Sequence, residues 1–133
     1  MTMSRERFRH YTINIESIDQ GHWELCQGMD QCTALAKAGE VEKLFAAVPL
    51  LQAALIKHFE HEEVQMVANN YPFLRAHQDE HARMLEQIKN FAIKLEKKQF
   101  MSYYFPNELE NLFLHHIDYA DRSYGDYIEK MKK

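Results

Sequence analysis

The chain has 133 residues, 46% of them hydrophobic and 12% aromatic, with a formal net charge of −4. That length suits one compact domain, and the acidic balance argues against nucleic acid or an anionic membrane surface as a partner. No stretch approaches the ~20 apolar residues that span a bilayer, and Met1 to Arg7 lack the apolar core of a secretion signal, so a cytoplasmic, reducing location is expected.

Only four glycines and three prolines punctuate the chain, and apolar residues recur at helical rather than alternating spacing. Residues 1–17 read as an extended N-terminal arm. A first helix is predicted from about Asp19 to Ala38 on Ile18, Leu25, Met29, Cys32 and Ala36, stopped by Gly39 just past its end. Cys26 and Cys32 lie about 120° apart on that helix, which disfavours a disulfide between them.

A second helix is predicted over Val41–Asn69, with Leu44, Val48, Leu51, Leu55, Val64 and Met66 inward, and Pro49 kinking it or marking a late start. Asn69-Asn70-Tyr71-Pro72 is the next break, and Pro72 suits the first turn of a third helix that runs to about Lys97. A fourth begins near Pro106-Asn107 on Leu109, Leu112, Phe113 and Ala120 and loosens by Gly125. Long helices with short connections predict an all-α fold: an antiparallel up-down-up-down four-helix bundle over 18–124, with a short C-terminal helical turn in a 125–133 tail. The whole of 1–133 reads as a single domain, and a monomer is expected.

The histidines fall on those stripes. His22 lies between Ile18 and Leu25, and His58 between Leu55 and Glu62. His77 and His81 lie between Leu74 and Leu85, and His116 follows Leu109, Leu112 and Phe113. His58/Glu62 and His77/His81 are i,i+4 pairs, so each presents two donor atoms on one helix face. A lone inward histidine is more often a hydrogen-bonded core residue than a ligand. Five imidazoles and a carboxylate converging from four helices are hard to satisfy by mutual hydrogen bonds and easy to satisfy by coordination. A buried metal centre is therefore predicted.

Among the other histidines, His10 precedes the bundle and His61 is one position off its stripe. His115 pairs with Asp118 at i+3, but the apolar stripe selects its neighbour His116. Cys26, one turn after His22, reads as a small core residue rather than a soft ligand.

His58-Phe59-x-x-Glu62-Glu63-x-x-Met66, Tyr71-Pro72, His77-x-x-x-His81 and His116-Ile117-x-x-x-Asp121-x-x-Tyr124 occur in that order, preceded by Asp19-Gln20-Gly21-His22. From about Phe8 to Tyr127 the chain closely resembles the hemerythrin family, and its single-domain bacteriohemerythrins most nearly in length. The resemblance implies two iron ions with a bridging oxo or hydroxo group and dioxygen as ligand. His77, His81 and His116 would hold one iron, His22 and His58 the other, and Glu62 and Asp121 would bridge them. Spacing alone does not select Asp121, because i+5 from His116 is about 140° around an ideal helix, which must distort or end there.

Leu112, Phe113, Ile117 and Phe59 would line the dioxygen pocket. Gly21 and Leu112 depart from the family pattern, which usually has Gln and Trp there. Five imidazoles, two bridging carboxylates and a bridging hydroxide would leave one position open on two octahedral irons.

The implied function is reversible dioxygen binding for transport, storage or delivery to a separate oxygen-consuming enzyme, without catalysis by this chain. The absence of any Glu-x-x-His pair, which ferritin-like oxidases use, agrees with that. A di-iron enzyme (peroxidase or nitric-oxide handling) or an oxygen or redox sensor on the same scaffold are the alternatives, and sustained turnover with a reductant is what separates an enzyme from a carrier.

Overall fold

A computed structural model describes residues 3–97 and 104–132. Among them there is no strand, and no helix is long and apolar enough to cross a membrane. The elements are α1 (Arg5–Phe8), a 3-10 turn (Arg9–Tyr11), α2 (Glu16–Lys37), α3 (Val41–Ala68), α4 (Leu74–Glu96), α5 (Tyr104–His116), a π-helical turn (Ile117–Asp121) and α6 (Arg122–Met131). α2 packs against α3 and α5, and α4 packs against the same two, so the four long helices enclose one core.

Local chemistry stops the helices where the connections need them to. Gly39, at φ 71°, takes the left-handed conformation after α2. Its N–H meets Ala36 O at 3.2 Å while that of Glu40 meets Leu35 O at 3.0 Å, the paired bonds that satisfy the last carbonyls of a helix. Asn70, at φ 54°, does the same after α3, with bonds from Asn70 to Val67 and from Tyr71 to Met66. Asparagine tolerates this conformation better than most side chains. Pro49 sits inside α3 without delaying its start.

Three features differ from the sequence reading. Val64 is 69% exposed: the inward stripe of α3 runs through Leu55, Phe59, Glu62 and Met66, and a residue two positions after Glu62 turns about 200° away from it. The N-terminal arm is not simply extended but begins with α1 and the 3-10 turn, capped by Ser4 Oγ accepting from the Arg7 N–H. Finally, the chain does not dwindle to a short turn after Gly125, because α6 continues to Met131.

Gly125 serves the arm rather than ending the helix. A Cβ there would stand 2.8 Å from the Ile13 carbonyl oxygen, so the missing side chain lets the arm cross α6. The arm is tied down along its length. The Met3 N–H donates to Asp30 (2.7 Å), the Ile13 N–H donates to Asp19 (2.7 Å), and Arg122 donates to the His10 carbonyl (2.8 Å). Phe8 packs edge-on against Trp23, and the Arg5 guanidinium covers the same indole 4.1 Å from its centroid, a favourable cation–π arrangement.

Candidate metal centre

Each long helix delivers donor atoms to one point in the core. α2 carries His22, α3 His58 and Glu62, α4 His77 and His81, and α5 His116. The π turn adds Asp121. An extra residue in that turn brings an i+5 side chain back above His116, and π turns of this kind gather at functional sites. His116 Nε2 and Asp121 Oδ1 are 3.2 Å apart as a result. All seven side chains are buried, His58 being the most exposed at 8%.

The two carboxylates divide their oxygens between two groups of imidazoles. Glu62 Oε2 lies 2.9 Å from His22 Nε2 and 2.6 Å from His58 Nε2, whereas Oε1 lies 3.3 Å from His77 Nε2 and 3.1 Å from His81 Nε2. Asp121 Oδ2 lies 2.9 Å from His22 Nε2, and Oδ1 lies 2.7 Å from His77 Nε2 and 3.2 Å from that of His116. Donor atoms thus form one cluster of Glu62, His77, His81, His116 and Asp121 and a second of His22, His58 and Glu62, each able to hold a metal ion.

Protein hydrogen bonds do not satisfy this cluster. His81 Nε2, His116 Nε2 and both Asp121 oxygens are fully buried with no hydrogen-bond partner. Their neighbours are near enough but misaligned, because the lone pairs converge on shared space instead of on one another. Orphaned polar atoms in a dry core cost about 1–3 kcal/mol each, and more when charged. Metal ions among these atoms would satisfy all of them, so the residues present fit a metal.

The electrostatics agree. Burial pulls the His22 imidazole down, but its contacts with Asp121 and Glu62 more than reverse that and raise it to about 10. His77 rises to about 9 against the same opposition, again through Asp121 and then Glu62. Burial pushes Glu62 up, yet the imidazoles of His22, His58, His77 and His81 hold it well below the usual carboxylate range. Asp121 is likewise held low, with His116 and His22 outweighing burial and the Glu62 charge. Two ionised carboxylates in the core demand positive charge, which protons supply when metal does not.

Two further acids orient the rings; helical spacing assigns neither to the site, although Glu63 stands in the family motif. Glu63 Oε2 accepts from His81 Nδ1 at 2.7 Å, and Glu80 Oε1 from His116 Nδ1 at 2.9 Å. Gln78 Nε2 donates to the other oxygen of Glu63 at 3.2 Å. A carboxylate on Nδ1 fixes the tautomer, turns Nε2 toward the site and raises its basicity. Their signal in the sequence is adjacency, since Glu63 follows Glu62 and Glu80 precedes His81.

Apolar side chains wall the cluster. Phe59 stacks on His81 with centroids 3.9 Å apart, and Phe113 meets His22 and His58 edge-on at 5.5 and 6.5 Å. Both are buried, as is Ile117. Leu112 is only half-buried and lines a surface cavity with His115 and His116. His10, His61 and His115 are exposed and outside the cluster. Cys26 is also outside it, a free thiol pushed up to about 12 by burial and then by Glu110 and Asp30, and so a protonated core residue.

An all-helical bundle enclosing histidine and carboxylate donors defines a metal-binding helical protein. A family model, the hemerythrin HHE cation binding domain, matches residues 14–128, and the chain belongs to the hemerythrin family. No curated protein and no solved structure matches it.

Proposed function

We propose that this chain binds dioxygen reversibly at a non-haem di-iron centre. One observation carries the reading: Glu62 and Asp121 each direct one oxygen toward the His22 half and the other toward the His77 half. That is the disposition of bridging carboxylates between two ions. In this reading His77, His81 and His116 would hold one iron, His22 and His58 would hold the other, and Glu62 and Asp121 would serve both. Seven donors exceed what a single tetrahedral zinc needs, and a mixture rich in imidazole suits iron.

Reduced iron supplies the electrons with which dioxygen binds. The protein supplies the enclosure. Phe59, Phe113 and Ile117 exclude water and offer no acidic hydrogen, so nothing on these walls drives the release of reduced oxygen. Glu63 and Glu80 hold His81 and His116 in place while the charge of the site changes.

The reading extends to architecture. Residues 18–124 form an antiparallel up-down-up-down bundle within a single domain of 1–133, with 1–17 and 125–133 as its two ends. The protein works as a cytoplasmic monomer that stores dioxygen or passes it to a separate oxygen-consuming enzyme. Support for antiparallel neighbours comes from α2 and α3, where Gly21 faces His58 and Gly28 faces Leu51, so that one helix ascends as the other descends.

The test is an anaerobic Fe(II) preparation followed by visible absorption spectra under air and after degassing. Colour that develops in air and fades on degassing, over repeated cycles, is the expected result. Irreversible bleaching, or continuous oxygen consumption with a reductant, overturns the carrier reading.

A further inference from the structure

The imidazoles are held in different ways. Those of His81 and His116 have a carboxylate on Nδ1. His58 has Glu62 on Nε2, but no described residue hydrogen-bonds its Nδ1. Something else must aim this ring.

What it rests on is a gap in the neighbouring helix. A Cβ built on Gly21 would stand 2.7 Å from His58 Cε1 and closer still to Nδ1, nearer than real Cβ atoms come. One heptad away, a Cβ on Gly28 would stand 3.2 Å from Leu51 Cδ1, a milder approach. Leu51 and His58 are themselves one heptad apart on α3. Together these residues line a groove of about 550 Å³ between the two helices.

We propose that Gly21 is a positioning residue of the metal centre: the space left by its missing side chain is the seat that aims His58 Nε2 at the His22 half of the site. This rests on the reading that His22 and His58 hold a metal ion. The family usually has Gln here, so a side chain at this place is compatible with the fold; in this chain the His58 ring itself fills the space, and a Cβ at position 21 would have to swing it aside. The fold then survives while the ligand leaves its place. Glycine inside a helix is ordinarily a cost, and here the cost maintains a ligand's direction.

The experiment is an anaerobic Co(II) titration of the full chain, with ions per chain counted by elemental analysis, the Co(II) spectrum recorded and the fold followed by circular dichroism melting. Wild type is compared with Gly21→Ala, Gly28→Ala and His58→Ala. Wild type is expected to take two ions. Gly21→Ala should keep one at wild-type affinity and hold the second roughly 10–100-fold more weakly, the usual effect of losing a group that orients a ligand, with His58→Ala affecting that same ion. Gly28→Ala should match wild type.

Gly21→Ala taking both ions at wild-type affinity overturns the inference. Fewer than two ions in wild type overturns the two-ion reading beneath it. If Gly21→Ala unfolds, the double variant Gly21→Ala/His58→Ala removes the ring that the new methyl would strike. Recovery of its melting temperature supports the seat, and no recovery overturns it.

Discussion

Glu62→Gln probes the centre of the site with almost no change in shape. The carboxylate is fully buried with four imidazole nitrogens between 2.6 and 3.3 Å away. In metal-free protein the substitution removes one partner of a buried charge cluster, which costs about 3–5 kcal/mol. The low end applies, because Asp121 still faces His22 and His77. For a chain of this size about 3 kcal/mol corresponds to a fall of roughly 10 °C in melting temperature.

Metal widens the difference. Each ion at 100 times its Kd stabilises wild type by about 2.7 kcal/mol, so two ions raise the melting temperature by roughly 20 °C. The variant has one fewer anionic bridge and should keep less than half of that gain. Calorimetric melts at pH 7, with chelator and with Fe(II) under nitrogen, measure both quantities, and elemental analysis counts the ions. If Glu62→Gln holds two ions and shows the same metal-dependent rise as wild type, the bridging role of Glu62 is refuted.

Without metal, the raised His22 and His77 stabilise the fold fully below their unfolded value near 6.5, and that contribution disappears as pH rises through about 9 and about 10. The lowered Glu62 and Asp121 act above their unfolded values near 4 and lose their effect as pH falls through the folded ones. Glu110, raised to about 8 by burial and by Asp30, adds to the alkaline decline. Metal-free protein should therefore be most stable near pH 5–6, while metal affinity should climb with pH as bound protons leave. Melts with and without metal should diverge as pH rises, and parallel curves would contradict this. Phe113→Asp places an acid beside His22 and His58 and should shorten the life of the oxygenated colour at least roughly tenfold, as general acids do; a Phe113→Leu control of equal effect would trace the loss to packing. Glu63→Gln should weaken metal binding about tenfold or more with an unchanged circular dichroism spectrum, and unaltered affinity would mean that His81 needs no such support.

The helix-face spacing in the sequence was enough to select His22, His58, Glu62, His77, His81 and His116, because each continues an apolar stripe and a buried donor on such a stripe needs a partner. Asp121 was not legible that way. Its i+5 offset points elsewhere on an α-helix, and only the family resemblance brought it in. Glu63 and Glu80 escaped because they lie one residue off the stripe, where an acid ordinarily faces water, and their partners arrive from other helices. The fold of the arm is not legible in its own residues, because its bonds, such as Met3 to Asp30 and Arg122 to the His10 carbonyl, join residues far apart in the chain. In the sequence Gly21 stands out only as a departure from the family pattern, since its neighbour His58 comes from α3.

The π turn at Ile117–Asp121 also sets the phase of everything after it. At 100° per residue, eight α-helical steps from His116 would leave Tyr124 about 80° out of line with it; the surplus residue in the wide turn absorbs nearly all of that rotation. Tyr124 is fully buried, and the Asn69 side chain donates to its hydroxyl at 3.0 Å. The same residues wound as a regular α-helix would be smoother, yet they would carry Tyr124 and Gly125 round by about 100°, one residue's turn, away from the interior and unseat the arm. A local irregularity that lifts one carboxylate into the core is thus also the joint by which the chain's last ten-residue helix finds its orientation.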